Sequence, residues 1–302
     1  MTTALRVRGL RKNYGDAAAL AGVDLDVAAG EVFALLGPNG AGKSTAVEIL
    51  EGLRRRDAGE VSVLGVDPAE ADHRWRARIG VVLQEAKDFT MLRVGEAVRQ
   101  FAAYYPAHRD PAEVIAAVGL TEQTRTLTSK LSGGQRRRLD VALGIVGDPE
   151  LLFLDEPTTG FDPAARRQFW ELIGSLRSAG TTILLTTHYL DEAEALADRV
   201  GVLAGGRLVE VNAPGRLGGR DRAEAIVAWE EDGRRCEQRT AEPTRFVAEL
   251  STLFRGEIPG LSVVRPSLED IYLGLIGAQQ TPGADGMREA DEAHGELEGS
   301  TR

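Results

Sequence analysis

Residues 31–45, EVFALLGPNGAGKST, decide the fold of this chain. The apolar run at residues 31–36 is typical of a strand that is buried on both faces. The residues that follow it, 37–45, match the phosphate-loop pattern G-x-x-x-x-G-K-S/T, and residues 43–53 have the apolar spacing of a helix. A glycine-rich turn could match this sequence pattern by chance, but the buried strand before the loop and the helix after it favour a phosphate-binding site.

Glycines in such a loop let backbone N–H groups converge on phosphate oxygens, and the following helix directs its positive end at the same place. Lys43 would reach the β and γ phosphates of a nucleotide, and the Ser44 hydroxyl would bind Mg²⁺. The predicted phosphate-binding residues are Gly37, Pro38, Asn39, Gly40, Ala41, Gly42, Lys43, Ser44 and Thr45.

A second buried-type strand, LLFL at residues 151–154, ends in two acidic residues. Asp155 at the strand end can hold the Mg²⁺ shell, and Glu156 can orient or polarise an attacking water. An apolar strand that ends in two acids is common by itself, so this assignment depends on the phosphate loop.

Strands and helices alternate along the chain, and a third core strand at residues 181–187 ends at His188. This order predicts an α/β fold with a largely parallel sheet and a site at the carboxyl ends of its strands. Residues 94–147 read as helical, and Asp232-Gly233 between two strand-like segments predicts a hairpin. We expect a main domain over residues 1–219, a small α+β domain over residues 220–276, and a disordered tail over residues 277–302.

Composition narrows the class of partner. The net charge of −10 disfavours nucleic acid, since an acidic surface repels phosphate backbones even where residues 54–56 are arginine. Cys236 is the single cysteine, so the chain forms no internal disulfide. No uninterrupted apolar run reaches about 18 residues, so attachment to a membrane would require another protein.

The stretch LSGGQ at residues 131–135 narrows the family. A serine and two glycines before a helix can form a second phosphate-binding helix start, whereas a plain capping turn would explain only Ser132 and one glycine. Together with the acidic strand and TGFD at residues 159–162, this stretch resembles the nucleotide-binding domain of ABC transporters over about residues 4–215. The resemblance implies a P-loop NTPase of ABC type, with an antiparallel β subdomain and a helical subdomain at about residues 94–147 beside the core sheet.

The resemblance also implies ATP and Mg²⁺ as cofactors and a homodimer in which two ATP molecules lie between head-to-tail subunits. The signature of one subunit then meets the nucleotide of the other. The residues that this assigns to the nucleotide of the opposite subunit are Ser132, Gly133, Gly134, Gln135 and Asp162.

Three further positions match the family by order and spacing. Tyr14 matches the aromatic residue that stacks on adenine, Gln84 the glutamine that contacts Mg²⁺ and the attacking water, and His188 the histidine at the γ-phosphate. Alone, each has an ordinary structural alternative. The chain departs from the family at Phe161, where leucine is usual, and we expect this change to alter packing at the dimer interface. Arg136, Arg137 and Arg138 fit a solvated helix face better than a nucleic-acid surface.

Residues 136–163 and the stretch PSLEDIY at residues 266–272 resemble drug-resistance exporters whose ATPase and permease are separate polypeptides. This implies an ATPase that energises an integral membrane permease and lies in the cytoplasm, peripheral on the cytoplasmic face of the cell membrane. Phe89, Met91 and Leu92 are candidates for the permease contact, with core packing as the alternative. The alternative function is a soluble, non-transport ABC ATPase that acts as a switch on a macromolecular assembly.

Overall fold

The computed structural model describes residues 2–83 and 91–280, with the side chains of residues 278–280 left aside. The strands are β1 (Thr3–Tyr14), β2 (Ala17–Ala28), β3 (Val32–Leu36), β4 (Ala58–Val63), β5 (Ile79–Val82), β6 (Leu151–Asp155), β7 (Thr182–Thr187), β8 (Arg199–Ala204), β9 (Arg207–Asn212), β10 (Ala225–Glu231), β11 (Arg234–Thr240) and β12 (Ser262–Val264). The helices are α1 (Lys43–Leu50), α2 (His73–Arg76), α3 (Val94–Ala102), α4 (Pro111–Ala117), α5 (Gly133–Ile145), α6 (Pro163–Ser178), α7 (Leu190–Leu196), α8 (Pro243–Phe254) and α9 (Leu268–Gln280). Turns of 3₁₀ helix occur at Pro68–Glu70, Thr128–Lys130 and Leu217–Arg222.

The core is a six-stranded sheet in the order β5-β6-β7-β3-β8-β9, parallel except for β9. Alternate residues of β3 face two different cores: Ala34 belongs to one cluster, whereas Phe33 and Leu35 belong to the other. A strand with apolar side chains on both faces has to lie inside the protein, as the run EVFALL predicts. The prediction of a largely parallel α/β sheet is therefore confirmed.

An antiparallel sheet in the order β2-β1-β4 packs on one side of this core. Its inward-facing side chains, such as Leu5, Leu20 and Val63, are fully buried with Phe33 and Phe153 of the parallel sheet. In this sheet β1 and β2 each run for 12 residues. Register shifts along the pair allow this length, because each irregularity bends and twists the strands around the core.

The helices α3, α4 and α5 cover part of the opposite side, which agrees with the helical segment predicted for residues 94–147. Helix α5 lies very close to β5, since a Cβ atom on Gly80 would lie 2.2 Å from the carbonyl oxygen of Gly144. Two glycines thus bring the backbone of α5 against the edge of the sheet.

The hairpin predicted around Asp232 and Gly233 is present as β10 and β11, and both turn residues have positive φ, as a tight hairpin turn requires. It packs with α8 around Trp229 and Leu250. Helix α9 behaves differently, because Leu268 is 2% exposed and belongs to the main core.

The last described helix, α9, follows the small domain in the sequence, but Leu268, Ile271, Tyr272 and Leu275 of this helix contact the main body. It also continues to Gln280 rather than ending at residue 276, because Ala278, Gln279 and Gln280 are good helix formers. The rest of the predicted tail lies outside the described residues.

The close approach at Gly80 gives a test of how α5 is held. We expect Gly80→Ala to lower the free energy of unfolding by roughly 1–3 kcal/mol, because the added methyl group has to displace backbone. The matched control is Gly174→Ala within α6, where a Cβ atom meets nothing within 4 Å and helix propensity favours alanine by about 1 kcal/mol. Urea denaturation of both variants measures the difference, and equal effects of the same sign would contradict this account.

Candidate nucleotide site

The phosphate loop lies between the end of β3 and the start of α1. Gly40 has a φ of 80° and Gly42 a φ of 103°, and a Cβ atom on Gly42 would lie 2.4 Å from the carbonyl oxygen of Ala19. Glycine is needed at Gly42 for both reasons. The loop therefore brings its backbone to the first turn of α1, where unpaired N–H groups and the helix dipole favour an anion.

Lys43 is the first residue of α1 and is 7% exposed. Its ammonium group donates hydrogen bonds to the carbonyl oxygens of Gly37 at 2.7 Å and Pro38 at 3.2 Å, so the side chain folds back over the loop. Burial lowers the pKa of Lys43, and the negative charges of Glu156 and Asp155 oppose that shift. Because the ammonium is largely removed from water, an anion in the loop would interact with it more strongly than with an exposed lysine.

An open cavity of about 860 Å³ joins the loop to distant parts of the chain. This volume is within the usual range for a small-molecule site, about 300–1,000 Å³. The lining residues are Tyr14, Ala19, Gly37, Pro38, Asn39, Gly40, Gly42, Lys43, Ser44, Thr45, Glu156, His188 and Tyr272. Ala41, also predicted from the loop pattern, is instead 4% exposed and packs in the core beneath it.

Glu156 and His188 lie side by side in this cavity, with 3.3 Å between Glu156 Oε1 and His188 Nδ1. Glu156 has a φ of +46°, which is uncommon for a residue with a side chain. Its backbone N–H donates hydrogen bonds to two oxygen atoms of Thr186. The nitrogen lies 3.1 Å from the carbonyl oxygen and 3.2 Å from the hydroxyl oxygen. These contacts fix an unusual backbone conformation and thereby the direction in which the carboxylate points.

The predicted Mg²⁺ ligands are divided between two elements. Asp155 ends β6, where its carboxylate accepts a hydrogen bond from the Thr186 hydroxyl, and Ser44 lines the cavity from α1. Within residues 2–83 and 91–280, no cluster of three or more His, Cys, Asp or Glu residues could hold a metal. One carboxylate and one hydroxyl suit Mg²⁺ that is bound mostly through water and nucleotide phosphates, so the donors fit the ion together with a nucleotide. Gln84, the third predicted ligand, lies outside the described residues.

Tyr14 stands at the rim of the cavity and is 45% exposed. Its hydroxyl oxygen is 3.5 Å from Thr45 Oγ1, and the guanidinium of Arg54 lies 5.3 Å from the ring centroid. An exposed aromatic ring at this position can stack with a flat base.

The signature residues lie outside this cavity. Ser132 caps α5: its hydroxyl accepts a hydrogen bond from the N–H of Gln135 at 3.3 Å, and the Gln135 side chain accepts one from the N–H of Ser132 at 3.0 Å. Ser132 and Gly133 are exposed. Asp162 caps α6 in the same way, through the N–H of Ala165 at 2.8 Å. The structure thus brings Tyr14, the loop, Glu156 and His188 together but leaves the signature and Asp162 elsewhere on the same subunit.

Two interpretations from the sequence are wrong. Phe161 is 7% exposed and packs edge to face on Phe169 with 5.9 Å between ring centroids, so it belongs to the core rather than to an exposed interface. Arg137 does not lie on a solvated face either, whereas Arg136 and Arg138 are half-buried. Arg137 is 7% exposed, and its guanidinium donates to the carbonyl oxygens of Leu83, Asp155 and Pro157.

Two residues that line the cavity, Ala19 and Tyr272, were not predicted from the sequence, and Tyr272 is the more distant of them in the chain. It comes from α9, whose neighbouring residue Leu268 anchors the helix in the main core. Burial raises the pKa of the Tyr272 hydroxyl, so the group stays protonated and can donate a hydrogen bond. The stretch PSLEDIY carried a family resemblance, but no local pattern connects it to a loop more than 200 residues away.

A family model described as ABC transporter matches residues 20–159. The chain is 38% identical to a daunorubicin resistance ATP-binding protein of Streptomyces coeruleorubidus, over 91% of this chain and 95% of that one. It is 39% identical to a fluoroquinolones export ATP-binding protein of Mycobacterium tuberculosis, over 93% and 95% of the two chains.

A third relative, a Nod factor export ATP-binding protein of Rhizobium meliloti, is 37% identical over 92% of this chain and 89% of that one. Among solved structures, an ATP-binding subunit of an ABC transporter matches with a TM-score of 0.65 and 26% identity, over 71% of this chain and 91% of that one.

The position of Tyr272 gives a prediction about nucleotide affinity. We expect Tyr272→Ala to weaken ATP binding by roughly 1 kcal/mol, about a fivefold rise in Kd, because a ring and a hydroxyl leave the cavity wall. Tyr104→Ala is the control, since Tyr104 is 70% exposed and lies outside the cavity lining. Calorimetric titration with ATP measures both, and an unchanged Kd for the Tyr272 variant would remove this residue from the site.

Proposed function

Because the chain belongs to the family of ABC transporter ATP-binding proteins, we propose that it powers an exporter whose membrane permease is a separate polypeptide. The chain is an ATPase of this family. The observation that carries the nucleotide-hydrolysis part of the proposal is the cavity in which the phosphate loop, Glu156 and His188 meet while the signature lies outside it. The names of the relatives, which refer to drug resistance and to export, support the exporter part.

We assign phosphate binding to the loop and to Lys43, which would exchange its two carbonyl contacts for phosphate oxygens. Tyr14 would hold the adenine ring by stacking. Ser44 and Asp155 would hold Mg²⁺, with Gln84 as a further ligand; the ion supplies positive charge against the phosphate oxygens. The positions of Tyr14, Lys43 and Ser44 in the cavity wall support these assignments, whereas Asp155 and Gln84 are assigned from the sequence.

Glu156 is proposed to orient and polarise the water that attacks the γ-phosphate. Its side chain is 14% exposed, so it faces the cavity while remaining largely shielded from bulk water. His188, at 3.3 Å from the carboxylate, is placed to contact the same phosphate and to keep the glutamate in position. A carboxylate whose backbone is fixed by Thr186 loses little entropy when it aligns a water.

The signature supports a dimeric mechanism. Ser132 and Gly133 are exposed at the N-terminus of α5 and lie outside the cavity of their own subunit. An exposed helix start with two glycines can approach phosphates on a second copy. We propose that two chains associate head to tail, that the signature of each completes the other's site with Gln135 and Asp162 nearby, and that hydrolysis releases the pair.

The partner is proposed to be an integral membrane permease, with this chain on the cytoplasmic face of the membrane. Among the described residues, no helix is long and apolar enough to cross a bilayer. Of the predicted contact residues, Met91 is 87% exposed, Leu92 packs against the main core, and Phe89 lies outside the described residues. The exposed Met91 supports a contact beside the segment that contains Gln84, and the packing of Leu92 favours the alternative for that residue.

We retain the division into a domain over residues 1–219, with its helical subdomain, and a small domain that follows it. The hairpin and α8 have their own cluster around Trp229, which supports a separate small unit. Helix α9 is better assigned to the main domain, given its contacts there.

The role of Glu156 can be tested with Glu156→Gln. We expect this variant to bind ATP with unchanged affinity, to lose about 10²- to 10⁴-fold in kcat, and to accumulate as a dimer with ATP. Steady-state phosphate release and size-exclusion chromatography measure the two effects. Glu249→Gln, an exposed change in the small domain, is the control. Normal turnover of the Glu156 variant would remove this residue from the mechanism.

The partner can be tested by gentle solubilisation of membranes from cells that express the tagged chain, followed by identification of what copurifies. We expect a stoichiometric polytopic membrane protein, and we expect Met91→Asp to reduce its recovery because a charge replaces an exposed apolar contact. Recovery from the soluble fraction alone, with ribosomal or DNA-associated proteins, would favour the switch alternative and leave the ATPase assignment intact.

A further inference from the structure

Arg137 occupies an unusual position for a charged residue. It lies in α5, five residues after Ser132, and its side chain points into the protein. The guanidinium donates hydrogen bonds to the carbonyl oxygens of Pro157 at 3.0 Å, Asp155 at 2.6 Å and Leu83. All three of its nitrogen atoms are therefore committed to backbone carbonyls.

The three carbonyl groups belong to the segments that carry Glu156 and precede Gln84, the two residues proposed to contact the attacking water. Two of them, from Asp155 and Pro157, flank the proposed catalytic Glu156 on either side. The third, from Leu83, immediately precedes Gln84. One side chain of the signature helix thus connects the segment that carries the catalytic carboxylate to the segment that carries the predicted glutamine.

The electrostatic setting is consistent with a fixed position for this side chain. Burial lowers the pKa of Arg137, whereas the charges of Asp140, Asp155, Glu192 and Glu156 favour its protonated form. Arginine stays charged in proteins, so the charge has to be compensated by hydrogen bonds and acidic neighbours inside the fold. A planar fork with five N–H groups can satisfy several carbonyl groups at fixed angles, which an ammonium group does not.

We propose that Arg137 is a positioning residue that sets the backbone of Glu156 and couples it to the signature helix. The inference rests on the catalytic role proposed above for Glu156. Glu156 has a φ of +46°, a conformation that its surroundings must maintain. Since Arg137 and the signature lie in one helix, a displacement of the signature on meeting a second subunit is transmitted to the carbonyls around Glu156. The position of Glu156 for hydrolysis then depends on the contact that the signature of the same subunit makes with the second subunit.

The test uses two substitutions in the full-length chain. Arg137→Met removes all three hydrogen bonds, and Arg137→Lys keeps the charge but not the fork. We expect kcat to fall at least about tenfold in Arg137→Met, and less in Arg137→Lys, because a misplacement of about 1 Å can slow catalysis about 10²-fold. The Kd for ATP should stay within about twofold in both, because Arg137 is absent from the cavity lining.

Arg56→Met is the matched control. Arg56 also makes three hydrogen bonds, to Gly59 and to both oxygens of Asp67, but these lie in the antiparallel sheet region away from Glu156. If Arg56→Met lowers kcat as much as Arg137→Met does at equal folded fraction, the effect is general destabilisation and the proposal is overturned. If Arg137→Met does not fold, the kcat of Arg137→Lys is compared with that of Arg56→Met in the same way.

A double-mutant cycle with Glu156→Gln separates this inference from the proposed function. If Arg137 acts through Glu156, Arg137→Lys should slow the wild-type chain but leave the residual rate of the Glu156→Gln chain unchanged. Equal fold-losses in both backgrounds would overturn the positioning role while Glu156 kept its own. Normal turnover of Glu156→Gln alone would instead reject the catalytic assignment.

Discussion

Parallel pairing of β6, β7 and β3 is the constraint on which the rest of the site depends. In this register Leu36 lies opposite Thr187, and Asp155 lies opposite Thr186. The three strands therefore end at the same level, and the loop, Glu156 and His188 leave the sheet side by side. Apolar side chains on both faces maintain the register, because a slip of one residue would move every side chain to the opposite core.

Much of this arrangement could be predicted because its signals are local. An apolar run followed by GPNGAGKST specifies a strand, a turn and a helix within 15 residues, and the two other strands end in recognisable polar groups. Parallel strands place those ends at one edge of a sheet whatever lies between them. The sequence alone therefore predicts that the phosphate loop, Glu156 and His188 lie together.

The remaining features depend on contacts between distant segments. Arg137 lies between two other arginines, and a run of three charged residues normally indicates solvent exposure. Its actual position is set by carbonyl groups 54 and 20 residues away in the sequence, at Leu83 and Pro157. The packing of Phe161 is hard to predict for a related reason, because its partner, Phe169, lies eight residues later on a helix face that periodicity alone does not orient. The place of Tyr272 likewise depends on how α9 docks, which no local pattern encodes.

The docking of α9 has a topological consequence. The chain leaves the main body at the turn Leu217–Arg222 and returns to it through α9. Arg220 donates a hydrogen bond to the carbonyl oxygen of Pro266, just before α9, at 2.9 Å. A Cβ atom on Gly218 would lie 2.4 Å from the side chain of Ile271 in α9. These contacts form a non-covalent clasp that closes the intervening hairpin and α8 into a loop. Because the entropy of closing a loop changes only slowly with its length, related chains could lengthen or exchange this excursion with little effect on the cavity. A shortened chain that lacks α9 would open the clasp and remove Tyr272 from the cavity wall at the same time, so residues 1–219 alone would not reproduce the cavity of the longer chain.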